Sequence, residues 1–180
     1  MNITNTLIGI FESMKKNHWI WLTVFVSFIS ACAQKTIPES LAALNKESVT
    51  YISVDELRSN PTSYIILDAR EQEEFAVSHL PNAVFVGYKN FELKSISEKL
   101  PKKTETPIVV YCSIGVRSEN IGERLQKAGF TNVKNLYGGI FEWSNKGYPL
   151  IDKNNNTTKK VHAYSKQWGK LLTNGEKVYD

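Results

Sequence analysis

A strand, a loop and the start of a helix follow one another in the sequence Pro107-Ile108-Val109-Val110-Tyr111-Cys112-Ser113-Ile114-Gly115-Val116-Arg117-Ser118. The continuous apolar run before Cys112 predicts a strand that is buried on both faces. Residues 118–127 place Ile121 and Leu125 four positions apart, and Gly129 supplies a stop signal, so this stretch predicts a helix. We therefore expect a cysteine at the turn between a buried strand and a helix.

The same alternation of apolar runs and helix-like stretches extends over residues 51–151. Ser53, with Glu56 three residues later, has the pattern of a helix cap. Further strands are predicted at four apolar runs, 51–52, 64–67, 83–86 and 133–136, of which 64–67 and 83–86 are expected to be buried. Buried strands that alternate with helices predict an α/β fold, with a central, mainly parallel sheet of about five strands and helices on both faces.

Ligand sites in such folds form where the strands end, and Asp68, Arg70 and Cys112 all fall there. A strand–loop–helix turn points several backbone N–H groups into one small cup, and the helix amino terminus adds positive potential. A thiolate in that cup is stabilised, so we expect the pKa of Cys112 to fall below the free value of about 8.5. Gly115 allows a backbone that a Cβ would resist, and Arg117 adds a cation at the rim.

A persulfide anion needs the same donors as a thiolate, so these residues suit sulfur chemistry. The alternative is a buried, inert cysteine at a strand end, which is common for free cysteines. The glycine and the arginine at these spacings favour a reactive site. Neither Cys32 nor Cys112 belongs to a CxxC or Cys/His cluster, so neither a metal nor another cofactor is expected.

Residues 51–151 resemble a rhodanese domain, which implies a three-layer sandwich with the sheet between two layers of helices. The resemblance rests on four motifs in the family's order: Leu67-Asp68-Ala69-Arg70-Glu71 with Glu74-Phe75, His79-Leu80-Pro81-Asn82-Ala83, Tyr111-Cys112 through Arg117-Ser118, and Leu136-Tyr137-Gly138-Gly139-Ile140 with Trp143. Two departures lie in one turn, where Ser78 and Asn82 stand in place of glycines that are frequent in the family. Asn tolerates left-handed backbone, so we expect the turn to be kept.

The resemblance implies a sulfurtransferase in which Cys112 attacks a sulfane sulfur and becomes a persulfide. Arg117 would bind an anionic donor and orient the loop. Asp68 and Arg70 would lie beside the site, either holding the loop or contacting substrate, and His79 suits a structural hydrogen bond better than catalysis. The residues implied to cradle the sulfur through their N–H groups are Ser113, Ile114, Gly115, Val116 and Arg117.

The implied partners are a small sulfur donor, either thiosulfate or a persulfide, and a thiol or cyanide acceptor, which could also be a protein thiol. The loop has one arginine and no lysine, whereas members that prefer thiosulfate tend to have more positive loops. The competing hypothesis is a non-enzymatic module that binds a partner or senses sulfur or redox state. A third hypothesis is a phosphatase or arsenate reductase built on the same fold. Cysteine phosphatases place five residues between the cysteine and the arginine, whereas four lie between Cys112 and Arg117, so the loop length argues against this hypothesis.

The amino terminus has the pattern of an export signal. Lys15 and Lys16 precede a 12-residue apolar stretch, 19–30, which is shorter than the ~20 residues that span a bilayer. The stretch ends in Ile29-Ser30-Ala31-Cys32, which resembles a bacterial lipobox with Cys32 as the lipidated residue. An ordinary signal peptide is the alternative. Within the signal region 1–31, Met14 gives a more compact charged start than Met1, so Met14 is the more natural start of the signal.

These features divide the 180-residue chain into a signal at 1–31, a tether at 32–50, the domain at 51–151, and a polar linker with a tail at 152–180. We expect a lipid-anchored protein of the cell envelope that faces the periplasm. A net charge of +4 is too small to argue for nucleic acid. The tail has apolar residues at spacings that could line one helical face: Val161, Tyr164, Trp168, Leu171 and Leu172. They predict packing on the domain or, alternatively, contact with a membrane surface or a partner.

Overall fold

Five parallel strands form the central sheet of the protein. The computed structural model describes residues 35–97, 100 and 105–179. The sheet has the order β1-β5-β4-β2-β3. Its strands are β1 (Tyr51–Ile52), β2 (Ile65–Asp68), β3 (Val84–Phe85), β4 (Ile108–Tyr111) and β5 (Val133–Leu136). The predicted parallel sheet of about five strands is therefore confirmed.

Helices connect the strands and cover both faces of the sheet. Their bounds are α1 (Ile37–Leu44), α2 (Val54–Ser59), α3 (Gln72–Val77), α4 (Leu93–Ser97), α5 (Val116–Lys127) and α6 (Gly139–Asn145). Ser53 caps α2, since its side chain accepts a hydrogen bond from the Glu56 N–H at 3.1 Å, as the sequence predicts. Successive residues of β4 enter two separate cores: Val109 packs with α1, α2 and α6, and Val110 packs with α4 and α5.

The edge strand β3 differs from its prediction as a buried strand. Val84 is 40% exposed, and Phe85 is partly exposed. The strand pairs only with β2, so one side of its apolar run has no neighbouring strand within the sheet.

The predicted tether at 32–50 contains an ordered helix. Residues 1–34, with the predicted signal and Cys32, lie outside the described residues. Helix α1 begins with a capping box between Thr36 and Glu39 and buries Ile37 and Leu41 in the core. The stretch is mixed and polar overall, but its apolar residues Ile37 and Leu41 lie four positions apart and pack on the domain.

The predicted tail packs on the domain, whereas the polar linker before it is mostly exposed. Strands β6 (Leu150–Ile151) and β7 (Thr157–Thr158) form a hairpin around the polar residues, and β8 (Lys160–His162) pairs with β9 (Glu176–Val178). The tail's buried apolar residues are Val161, Ala163, Leu171 and Leu172. The expected helical face is not formed. One short 3-10 helix, Trp168–Leu171, lies between bends and turns, and the left-handed residues Tyr164 and Gly175 lie on either side of it.

Among residues 35–97, 100 and 105–179, no helix has both the length and the apolar character needed to cross a bilayer.

Candidate active site

Cys112 lies between the end of β4 and the start of α5, as the sequence predicts. The carbonyls of Cys112 and Ser113 accept hydrogen bonds from the N–H groups of Ile140 and Phe141, both at 3.0 Å. A Cβ on Gly139 would lie 2.3 Å from the Cys112 carbonyl oxygen, so only glycine allows α6 to approach this closely. The first turn of α6 therefore fixes the start of the loop.

The Cys112 thiol is 1% exposed at the base of the loop. The Gly115 N–H donates to Sγ at 3.2 Å, and the Ser118 hydroxyl lies 3.5 Å from Sγ. Burial by itself raises the pKa of the thiol, but the Arg117 charge and the Ser118 and Gly115 donors outweigh it. The pKa of Cys112 is therefore lowered from its ordinary value of 9.0, in the predicted direction.

Asn135 holds Gly115 and Ser118 in place. It lies outside the four recognised motifs, and the sequence did not predict it as a site residue. The Ser118 hydroxyl donates to Asn135 Oδ1 at 2.8 Å, and Asn135 Nδ2 donates to the Gly115 carbonyl at 2.8 Å. Asn45, beyond the end of α1, donates to the same carbonyl at 2.9 Å. Gly115 has φ +120°, so its glycine identity is required where these bonds converge. Because the Ser118 hydroxyl carries one proton, it serves either Asn135 or the thiolate.

Arg117 is paired, although the sequence predicted a cation available to an anionic donor. Its Nη1 lies 2.6 Å from Glu74 Oε2, and its Nη2 lies 2.8 Å from Oε1 and 2.9 Å from the Ser113 hydroxyl. Burial raises the pKa of the Glu74 carboxyl, but the Arg117 contacts outweigh it and hold the pKa below its ordinary value. Glu74 lies within a recognised motif, yet only the fold shows that α3 carries it to the loop.

Asp68 and Arg70 form an ion pair at 2.6 Å in which both side chains are 0% exposed. Arg70 also donates to the Ser78 carbonyl at 2.6 Å, and the Tyr111 hydroxyl donates to Asp68 at 2.5 Å and accepts from the Leu80 N–H. Burial, and then the Asp68 charge, raises the pKa of Tyr111 well above its ordinary value. Neither member of the ion pair lines the pocket at Cys112. The structure therefore favours the structural role for this pair over contact with substrate.

The turn before β3 provides the Ser78 carbonyl and the Leu80 N–H for the hydrogen bonds around the Asp68–Arg70 pair. His79 Nδ1 lies 3.1 Å from the Phe75 carbonyl, and its ring stacks on Phe75 with 3.9 Å between centroids, which agrees with a structural role. Asn82 has φ +62°, so the expected left-handed residue is present without glycine. Ser78 has extended backbone, which any residue adopts.

A pocket of about 180 Å³ opens above Cys112. The loop lines it with Cys112, Ser113, Ile114, Val116 and Arg117. The tail contributes Tyr164 and Trp168, and the Tyr164 ring lies over the Arg117 guanidinium with 5.2 Å to the centroid. The sequence identified these two aromatic residues as part of a tail but gave no sign that they reach the site.

The domain is similar to known proteins. The family model for the rhodanese-like domain matches residues 53–146. Thiosulfate sulfurtransferase GlpE of Coxiella burnetii is 34% identical over 92 residues, which cover 51% of this chain and 81% of that protein. A tRNA uridine(34) hydroxylase of Photorhabdus laumondii is 33% identical over 95 residues, which cover 52% of this chain and 27% of that protein.

A solved structure also matches the fold. The crystal structure of a rhodanese-related protein from Thermoplasma volcanium superposes with a TM-score of 0.50 at 28% identity, covering 57% of this chain and 97% of that chain. The family model extends from the cap of α2 to just beyond the end of α6, and so includes β2 to β5 and the cysteine loop but not β1. On this match, the chain belongs to the rhodanese-like domain family.

Proposed function

We propose that this protein is a sulfurtransferase that moves a sulfane sulfur from a donor, through a persulfide on Cys112, to a thiol or cyanide acceptor. The observation that carries the proposal is the environment of Cys112: a thiol with a lowered pKa at the base of an open pocket, with the Gly115 N–H 3.2 Å from Sγ. The same donor can stabilise the negative charge on a persulfide.

The first half-reaction is a nucleophilic displacement on sulfur. The Cys112 thiolate attacks the outer sulfur of the donor, a new S–S bond forms, and the leaving group departs with the electron pair of the broken bond. In the second half-reaction an acceptor thiolate or cyanide attacks the terminal sulfur, and the Cys112 thiolate is the leaving group. We assign no separate general base to loading, because the lowered pKa of Cys112 favours the thiolate.

The relatives support sulfur transfer at different strengths. The matched region covers most of the Coxiella protein, whose name is thiosulfate sulfurtransferase. It covers 27% of the tRNA hydroxylase, so the match supports a shared domain and not a shared reaction.

The Cys-x4-Arg spacing of the loop also favours a narrow cradle for one sulfur atom over the wider cradle that a phosphoryl group requires.

The intact mass of the protein tests the proposal. Incubation with a sulfane donor should add the mass of one sulfur atom, and subsequent cyanide or thiol should remove it. Cys112→Ser is the matched control, because it keeps the size of the side chain and removes the nucleophile. A wild-type protein that gains no sulfur, or a Cys112→Ser protein that gains as much, would refute the assignment.

We also propose that the protein is anchored to a membrane at the cell envelope through lipid on Cys32. Support comes from Lys15 and Lys16, the short apolar stretch and the Ile29-Ser30-Ala31-Cys32 motif. Stable anchoring needs more than one acyl chain, which lipidation of an amino-terminal cysteine can provide. With Cys32 lipidated, Cys112 would be the remaining free thiol in a compartment that oxidises thiols.

A further inference from the structure

The wall of the pocket that faces the cysteine loop comes from residues beyond the matched family region. We propose that Tyr164 and Trp168 make this site selective for sulfur donors that have an apolar organic group and a single negative charge, in preference to the thiosulfate dianion. The inference rests on the proposed sulfur transfer and specifies its donor class.

The position of Tyr164 is the first support. Its side chain is 55% exposed, and its backbone has φ +62°, a left-handed conformation that a bulky residue rarely adopts. The His162 ring accepts a hydrogen bond from the Tyr164 N–H at 3.2 Å, which holds this turn. A large aromatic residue is thus kept, against its backbone preference, with its ring over Arg117.

The charge balance of the site is the second support. Among the described residues that line the pocket, Arg117 has the only permanent charge, and Glu74 neutralises it through two hydrogen bonds. The Cζ atom of the same guanidinium lies over the Tyr164 ring, 5.2 Å from its centroid. A dianion would therefore meet a paired arginine and the negative thiolate, whereas a monoanion meets less repulsion.

The size and lining of the pocket are the third support. Ile114, Val116, Tyr164 and Trp168 present apolar surface around a volume of about 180 Å³. An apolar cavity of roughly 150 Å³ is large enough to bind benzene. One aromatic ring or short alkyl group can therefore enter beside the thiol, and aromatic side chains favour offset or edge contacts with such a ring.

The loading step is balanced for a thiosulfonate donor, R–SO₂–S⁻. The Cys112 thiolate forms an S–S bond to the terminal sulfur, the S–S bond of the donor breaks, and the sulfinate R–SO₂⁻ leaves with the electron pair. Thiosulfate reacts in the same way and releases sulfite. The two donor classes thus differ in charge and organic group, and not in the bond that is broken.

The test compares three donors on the full-length chain, with cyanide as the acceptor: benzenethiosulfonate, methanethiosulfonate and thiosulfate. The first two have the same charge and differ in the ring, and the last two isolate the effect of charge. We expect kcat/KM to be highest for benzenethiosulfonate and lowest for thiosulfate. The substitution Tyr164→Asn suits the left-handed backbone and should reduce the benzene-to-methane ratio of kcat/KM by about threefold to tenfold, the size of a lost aromatic contact.

Two variants serve as controls in the same ratio, which is independent of the folded fraction. Tyr164→Phe keeps the ring and should keep the ratio. Tyr179→Asn removes another exposed aromatic of the tail, which does not line the pocket, and should also keep it. Preference for thiosulfate, or a ratio that Tyr164→Asn leaves unchanged, would overturn the inference while leaving sulfur transfer established. Failure of all three donors to load sulfur on Cys112 would instead overturn the proposed function, and this inference with it.

Discussion

Arg117 and Glu74 form a bidentate ion pair that joins the cysteine loop to α3, with N···O distances of 2.6 and 2.8 Å. Glu74 is 2% exposed, and the Ser113 hydroxyl lies within hydrogen-bond distance of both partners. The pair therefore both fixes the loop and limits the charge that Arg117 offers to the pocket. We expect Arg117 to act on the pKa of the Cys112 thiol and Glu74 to act on the stability of the fold.

Arg117→Gln should raise the pKa of Cys112. Burial opposes the thiolate, and the Arg117 charge is the largest of the effects that lower the pKa below 9.0. In the wild type, sulfur loading should rise with pH through a midpoint below 9.0, and the variant should need higher pH for the same rise. The ultraviolet absorbance of the thiolate during a pH titration measures this midpoint in a Cys32→Ser background.

Arg124→Gln is the control for that titration. Arg124 lies on the same helix but donates to the Phe91 carbonyl, away from the pocket. It should leave the midpoint where it is. Equal midpoints in the wild type and Arg117→Gln would remove the arginine from its role in activating the thiol.

Glu74→Gln should destabilise the protein by roughly 1.5–3 kcal/mol at neutral pH, since it weakens charged hydrogen bonds to a mostly buried arginine. The folded pKa of Glu74 lies below its ordinary value of 4.5, so its ionic contribution is fully present above that value. It is lost as pH falls through the lowered pKa. Urea unfolding across this range should show the difference between wild type and variant shrinking in acid.

Glu73→Gln is the matched control, because Glu73 is the exposed neighbour of Glu74 on the same helix. It should have little effect on unfolding at either pH. A Glu74→Gln difference that stays constant as the pH is lowered would show that the carboxylate charge is not what stabilises the loop.

Asp68→Asn should destabilise the fold by about 3–5 kcal/mol, because it leaves the Arg70 charge in a fully buried position without its partner. Asp55→Asn provides the contrast, since the Asp55–Lys146 pair is exposed and should contribute little. If the Asp68 role is structural, the KM for donor should not change in the fraction that folds. A raised KM with normal stability would restore the substrate-contact interpretation.

Cys112→Ala should abolish sulfur transfer to cyanide and leave the circular dichroism spectrum intact. The thiol provides the nucleophile, and its removal deletes only one small buried group. Aryl phosphate hydrolysis should remain at background in both proteins. Cys112-dependent phosphatase turnover without sulfur loading would reverse the assignment in favour of phosphoryl transfer.

Cys32→Ser should release the protein from the membrane fraction or leave an unprocessed precursor. The reason is that the predicted signal supplies one cysteine at the site of lipidation. Fatty-acid labelling of wild type and variant measures this directly. Equal labelling of the two proteins would contradict the anchor, while an unlabelled wild type would favour the ordinary signal peptide.

A parallel sheet of about five strands, and the position of Cys112 at the end of one of them, could be predicted from local sequence, although the edge strand β3 is exposed where its apolar run predicted burial. Continuous apolar runs, such as the one before Cys112, specify buried parallel strands because both faces of each strand must be covered. Local signals were equally sufficient for Ser53 as a helix cap and Asn82 as a left-handed turn residue, since each depends on neighbours within a few positions.

The surroundings of the Cys112 thiol could not be predicted from local sequence. Glu74 meets Arg117, Asn135 meets Gly115, and Tyr164 covers Arg117, each across at least 20 positions of sequence. No periodicity or local motif records such distant contacts, because they depend on how helices and tail pack around the sheet. The charge and exposure of the site residues follow from this packing, because it buries Asp68 in the interior and pairs Arg117 with Glu74.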